Sequence, residues 1–260
     1  MEPFVDQESR EKERFRRKIF GIVCIVLFFL FVSGLIYLVG FSQFSKVTAI
    51  TILGTDRISQ DDVLRAFETA VQKNPFVRYL SAENFFLWPS GKVTIGYTMV
   101  ETAVVKKNFI TRSVEIVVKE RERFGVWCSS DVSCFWFDAM GILFDEAPVI
   151  EGPFIVRVVD EERDSLSLGG RMMEPRFIGN FITIVRAMKN AGLPARSITF
   201  SQKLQELRWK TFEGGDVLLS VRFVPTINIL ALERFIQQYP LTNLHYVDLR
   251  VEGRLYYKPF

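Results

Sequence analysis

Across residues 47–53 apolar and β-branched positions alternate with small polar ones, and Gly54-Thr55-Asp56 follows as turn chemistry, so the pattern predicts a strand. Ser59 and Asp62 open a helix in the manner of a capping box. Val63, Phe67 and Ala70 or Val71 recur behind them at helical spacing until about Lys73, ahead of Pro75. Residues 76–90 are aromatic and irregular and fit neither period, and residues 90–100 leave room for a second short helix. Strands are expected at 102–109 and 113–120, the second setting Val114, Ile116 and Val118 against Glu115, Val117 and Lys119. After Arg123 the runs shorten. Strands at 124–128, 134–138, 142–145 and 154–159 imply a meander. A helix over 174–191 carries Phe177, Phe181, Ile184 and Met188 on one face and stops at Gly192-Leu193-Pro194. Strands resume at 197–200, 204–210 and 217–223, the last two as a hairpin. A helix over 226–239 ends at Pro240 and leads to a strand at 245–251, a turn at Glu252-Gly253 and a strand at 254–258. Within 245–251 the odd-numbered Val247, Leu249 and Val251 are read as facing inward.

One run stands apart. Residues 19–41 hold neither charge nor proline, and 23 residues of helix reach roughly 35 Å, enough for a hydrocarbon core of about 30 Å. A cleaved signal peptide is the rival reading. Its apolar region is about 7–15 residues long and ends in small residues, and Leu38-Val39-Gly40-Phe41-Ser42-Gln43-Phe44 offers no such site. Six Lys or Arg residues precede the run and the first after it is Lys46, so the positive-inside bias keeps residues 1–18 in the cytoplasm and 42–260 outside. The expected anchor is thus a single span in the lipid bilayer.

Composition narrows the rest. The outer 219 residues suffice for one large or two ordinary domains, and a net charge of +3 with bases dispersed among acids lacks the footprint of a nucleic-acid binder. Twenty-five phenylalanines supply core or interface area. Cys24 falls in the span. Cys128 and Cys134 close a short loop between strand-like residues in a compartment that permits disulfides, so a bridge across a hairpin is expected, with two free thiols as the alternative. A zinc site lacks a second cysteine pair, and the chain has one histidine.

The order of these features resembles a family. A short tail, one span, a unit beginning Val47-Thr48-Ala49-Ile50-Thr51-Ile52-Leu53-Gly54-Thr55-Asp56-Arg57-Ile58-Ser59, and a following β-domain are similar to the bacterial division proteins FtsQ and DivIB. The β-domain resemblance rests on Val114-Glu115-Ile116-Val117-Val118-Lys119-Glu120-Arg121, Trp127 and Phe137-Asp138-Ala139-Met140-Gly141-Ile142-Leu143-Phe144, and Tyr246-Val247-Asp248-Leu249-Arg250 is similar to the closing motif. Val251 departs from the aromatic residue usual there, and residues 76–90 and the Cys128/Cys134 pair are not general to the family. The fold implied is α+β: a transmembrane helix over 19–41, a POTRA-like β-α-(α)-β-β domain over 45–122, and a mostly antiparallel β-domain with two helices over 123–260. The family's role implies a bitopic scaffold at the division septum of the bacterial inner membrane, with FtsB-like and FtsL-like partners.

Chemistry points the same way. A Ser-His-acid set requires His245, which reads as a strand residue. Glu120/Glu122 and Glu161/Glu162 read as solvated turns, and Gly169-Gly170 and Gly214-Gly215 lack the strand-to-helix setting of a phosphate loop. A non-catalytic protein without cofactor, metal or small-molecule substrate is expected. Binding is argued from residues 254–258: if they form the outermost strand, their outer N–H and C=O groups invite a partner strand. The partner-binding residues expected are Tyr246, Asp248, Arg250, Val251, Gly253, Arg254, Leu255, Tyr256 and Tyr257; the alternative makes the tyrosines core and rim residues. Two other functions compete. A POTRA protein of polypeptide secretion or assembly predicts tandem units or a barrel, and an extracytoplasmic enzyme predicts a polar pocket with a perturbed acid or base.

Overall fold

The structure is a computed structural model and describes residues 4–78, 80–81, 83–129, 133–149, 155–163 and 165–260. It is α+β, with one N-terminal apolar helix. That helix, α1 (Phe4–Gly40), contains a stretch, Arg14–Gly40, long and apolar enough to cross a membrane, and none of its most apolar window is buried within the protein. The chain divides into two compact units, and α1 belongs to the first. The first takes residues up to Tyr97 together with Thr102–Lys119, and the second takes Thr98–Glu101 with Glu120–Phe260.

In the first unit, β1 (Ala49–Leu53), β2 (Gly91–Val93), β3 (Val100–Asn108) and β4 (Ser113–Glu120) form a sheet in the order β1-β4-β3-β2. Its helix α2 (Gln60–Gln72) is capped by Ser59, whose hydroxyl accepts from the Asp61 N–H, while Asp62 turns to Arg65 at 2.8 Å. Val63, Phe67 and Val71, spaced by four, are the buried face of α2, with Phe67 stacked on Trp88 at 5.3 Å, and Val114, Ile116 and Val118 are the alternating buried positions of β4. The second short helix expected within 90–100 is absent, and β2 stands in its place, antiparallel to β3. Gly91 at φ +83° and the β-branched run Val93-Thr94-Ile95 disfavour helix and suit an edge strand.

Within the irregular stretch, Asn84 and Phe85 serve the end of α1 and the turn that follows it. The buried Asn84 side chain donates to the carbonyls of Val39 (2.8 Å) and Gly40 (3.2 Å), two of the acceptors a helix C-terminus leaves without partners. Phe85 N–H donates to Ser45 O, and the short 3₁₀ turn Gln43–Ser45 links α1 to β1. The first sheet is therefore stitched to the exit of α1.

The second unit holds one nine-stranded sheet of β5 (Gly125–Ser129), β6 (Cys134–Phe137), β7 (Leu143–Glu146), β8 (Arg157–Asp160), β9 (Ala195–Ser201), β10 (Glu206–Thr211), β11 (Asp216–Ser220), β12 (Leu244–Leu249) and β13 (Tyr256–Pro259). The order is β13-β12-β11-β10-β9-β8-β5-β6-β7, and most neighbours are antiparallel. The expected meander ends at β7. β8 returns to pair parallel with β5, and β9 continues parallel beside β8. Residue 154, placed at the start of that strand by the sequence, lies outside the described residues.

Two helices cover one face: α3 (Pro175–Asn190), with proline at its first position, and α4 (Thr226–Gln238). Phe177, Phe181, Ile184 and Met188 of α3 and Leu232 of α4 pack on Phe137, Val158, Phe200, Trp209, Val217, Val247 and Leu249. Trp127 lies edge-on to Phe137, Phe181 and Phe200, with ring centroids 6.1, 5.7 and 5.4 Å away. On the opposite face Val126, Cys128, Cys134, Trp136 and Phe144 form a smaller cluster.

Cys128 and Cys134 sit directly opposite each other on β5 and β6 and are joined by a disulfide. Both are buried, so alanine rather than serine is the substitution that adds no unpaired hydroxyl. Loop-closure entropy for so small a ring gives roughly 2–3 kcal/mol. Cys128→Ala together with Cys134→Ala is expected to lose about that much in urea unfolding, with an unchanged m-value if the loss is confined to stability.

Candidate functional site

The two edges of the nine-stranded sheet are finished differently. At β7, Leu143 exchanges hydrogen bonds with the 169–170 turn, donating to Gly170 O at 2.9 Å and accepting from Gly169 N–H at 2.7 Å, and Ile142 bridges Arg171. At β13 all four residues are exposed, and among the described residues no strand pairs with its outer side. An open row of backbone donors and acceptors is the usual template for strand addition.

The turn that leads into this edge is fastened by a buried side chain of α4. Asn228 Nδ2 donates to the carbonyls of Val251 (2.8 Å), Leu249 (3.0 Å) and Arg254 (3.3 Å), while its Oδ1 accepts from Gly253 N–H at 2.9 Å. The 250–254 turn that folds β13 back on β12 is thereby fastened to the helix. Gly253 adopts φ +69° with open space where a Cβ would be, so conformation rather than crowding calls for glycine. Leu255 packs against the main core and fixes the entry to β13.

The edge has two differing flanks. On the helix side Tyr257, which pairs with the buried Val247, meets Phe235 at 4.9 Å and Tyr239 at 5.8 Å, and the last two stack at 5.0 Å. Tyr239 and Tyr257 remain nearly half exposed, so the three rings form an aromatic shelf beside the open backbone. On the other side Asp248, which pairs with Tyr256, joins a charged cluster. Arg250 donates to both Asp248 oxygens, at 2.9 and 2.6 Å, and to Glu206 at 2.9 Å, and Arg222 reaches Glu206 at 3.2 Å. The hydrogen bonds from Arg250 hold the Asp248 carboxyl below the usual carboxylate range, and the same bonds push the guanidinium up. Arg250 is thus already committed within its own chain and acts first as a brace across β10 and β12. Tyr246 and Lys258 are register partners on that face, and Arg254 donates to the Tyr256 hydroxyl at 3.2 Å.

The expected residues accordingly converge on one ribbon, with different roles. Val251, read as inward, is 46% exposed, because the strand stops at Leu249 and the backbone turns under Asn228. His245 is exposed against the Phe260 ring at 4.2 Å, displaced from the inward series by the register shift between Leu244 and Tyr246. Among the described residues no three His, Cys, Asp or Glu side chains gather as a metal site. Sequence reading missed Asn228, Phe235, Tyr239 and Glu206. Asn228 was detectable as a polar position beside Ile229 and Leu232 on the buried stripe of α4, and Phe235 and Tyr239 as an i, i+4 aromatic pair.

Comparison with protein-family models and with curated proteins finds no match for the chain.

Proposed function

We propose that this chain is a non-catalytic, membrane-anchored scaffold of the bacterial division machinery, of the FtsQ and DivIB type. On this reading α1 crosses the inner membrane with its N-terminus in the cytoplasm, the first unit is a POTRA-like domain, and the second receives an FtsB-like strand along β13 at the septum. The observation that carries the reading is the uncovered outer side of β13 between an aromatic shelf and a braced polar face. Backbone bonds would supply register, and Phe235, Tyr239 and Tyr257 would receive apolar side chains of the incoming segment. Further support comes from the motif order in the sequence and from the β1-β4-β3-β2 sheet with α2 in the same unit.

The test uses proline at Tyr257 and, separately, at Lys258. Neighbouring residues of a strand aim their N–H groups at opposite edges, so one of the two substitutions removes an outward donor and spares the β12 ladder. The variant that keeps the native melting temperature is expected to bind the FtsB-like protein of the same genome about tenfold more weakly, as one lost hydrogen bond plus a steric block implies. Unchanged binding by that variant would sink the edge reading.

A further inference from the structure

Four exposed apolar side chains gather where the chain leaves α1. Phe41 (59% exposed) and Phe44 (74%) follow the helix, and Phe109 (67%) and Ile110 (94%) stand at the tip of the β3–β4 hairpin. The tip is tied to the helix exit. Arg112 donates to Gln43 O at 2.8 Å and stacks over the Phe44 ring at 6.0 Å, Thr48 N–H donates to Arg112 O at 3.1 Å, and Phe109 meets Phe85, whose N–H donates to Ser45 O.

The tip is also held rigidly outward. Asn108 Oδ1 accepts from the N–H groups of Ile110 (3.0 Å) and Thr111 (3.2 Å), and Arg112 closes the turn at φ +54°. Four exposed apolar side chains tied to one helix exit make the kind of patch that marks a contact with a membrane or another protein. Two cations flank these residues, with Arg112 on the Phe44 ring and Lys107 on the Phe85 ring at 4.9 Å. Cations beside an apolar patch are the combination found among side chains that snorkel at a membrane interface.

We propose that the β3–β4 hairpin tip, with Phe44, dips into the outer leaflet of the same bilayer that holds α1. The proposal rests on the anchored reading above. The exposed apolar side chains of α1 are followed within four residues of its end by Phe41 and Phe44, so the occupant of the tip is the lipid already in contact with the helix. The tip bonds to Gln43, three residues past the end of α1, which sets it at the headgroup boundary rather than in the hydrocarbon centre. The aromatic residues that follow the helix thereby gain a role as a collar fixing the first sheet on the membrane surface.

The full chain is reconstituted in vesicles of phosphatidylcholine and phosphatidylglycerol with an environment-sensitive fluorophore on one cysteine at a time. Native Cys24 reports on the helix. In a Cys24→Ser background, Ile110→Cys and Phe109→Cys report on the tip, and Leu53→Cys, at the far end of β1 and roughly 16 Å away, serves as reference. The disulfide cysteines are bonded and buried and take no label. Iodide in the water is expected to quench positions 109 and 110 several-fold less than position 53, and nitroxide near the headgroup to quench them more than nitroxide at mid-chain. Tip labels as open to iodide as position 53, with Cys24 deep, overturn the proposal alone. A Cys24 label open to iodide overturns the anchored reading and this proposal together. Tip labels shielded only when a partner protein is added also overturn it, by giving the surface to protein rather than lipid.

Discussion

Asn228→Asp is expected to release β13 from the sheet while β9, β10 and α3 stay folded. The native amide supplies a donor to three carbonyls and an acceptor to Gly253 N–H; a carboxylate keeps the acceptor and sets a second acceptor against those same carbonyls. A buried polar group left without its partner costs about 1–3 kcal/mol, and the Leu249 carbonyl is the least able to find water, since that residue is buried. Roughly 2–4 kcal/mol of local stability should be lost, which raises amide exchange within β13 about thirtyfold or more. Asn228→Ala removes the bonds without adding repulsion and should sit between the two. Exchange in β13 unchanged by the aspartate would show that the turn is held by something other than this side chain. If the proposed function holds, binding of an FtsB-like partner should fall in the same order as exchange rises, because the strand must be ordered to present its edge.

The second large effect is expected at Asp138. Its carboxylate pairs with Arg121, and the two side chains are only 8% and 18% exposed; the same carboxylate accepts from Met140 and Ile142 N–H groups at 2.9 Å each, shaping the turn between β6 and β7. Arg121 in turn donates to Thr98 O at 2.8 Å. Removing one member of a buried pair costs about 3–5 kcal/mol, and the partial exposure of Arg121 brings the expectation for Asp138→Ala to about 3 kcal/mol. At roughly 2–4 °C per kcal/mol for a domain of this size, the melting temperature should drop by about 6–12 °C. Asp138→Asn keeps an acceptor for the turn and loses the charge, so its loss should be smaller. Equal losses for the two variants would mean that the ion pair, and not the turn, carries the whole effect.

What the sequence disclosed follows from the range of the interactions involved. The alternation in β4, the apolar stripe of α3 and the Ser59 cap are local, and periodicity displays them directly. The parallel pairing of β8 with β5 joins segments whose contact no short window encodes, so a meander was the natural but incorrect extrapolation. Asn84 fits no local period because its side chain bonds to the end of α1. An asparagine that caps a helix more than forty residues earlier has no periodic signature. At the candidate edge the ribbon was legible as a strand-turn-strand pattern. Its fastening was not, because Asn228 acts across the helix–turn boundary, and Val251 was misread because strand alternation was carried past the point where the strand ends.

The brevity of β13 has a consequence for discrimination between visitors. An incoming strand gains only a few main-chain hydrogen bonds from four residues, each worth about 0.5–1.5 kcal/mol net, against an association cost of about 4–15 kcal/mol. Pro259 offers no donor, and an identical copy would bring its own Lys258 to the same short ledge. Backbone pairing along so short a strand therefore offsets little of the association cost by itself. On the proposed reading, a guest must also fill the space over Phe235, Tyr239 and Tyr257, so the aromatic side chains would set the selectivity that four residues of backbone do not provide.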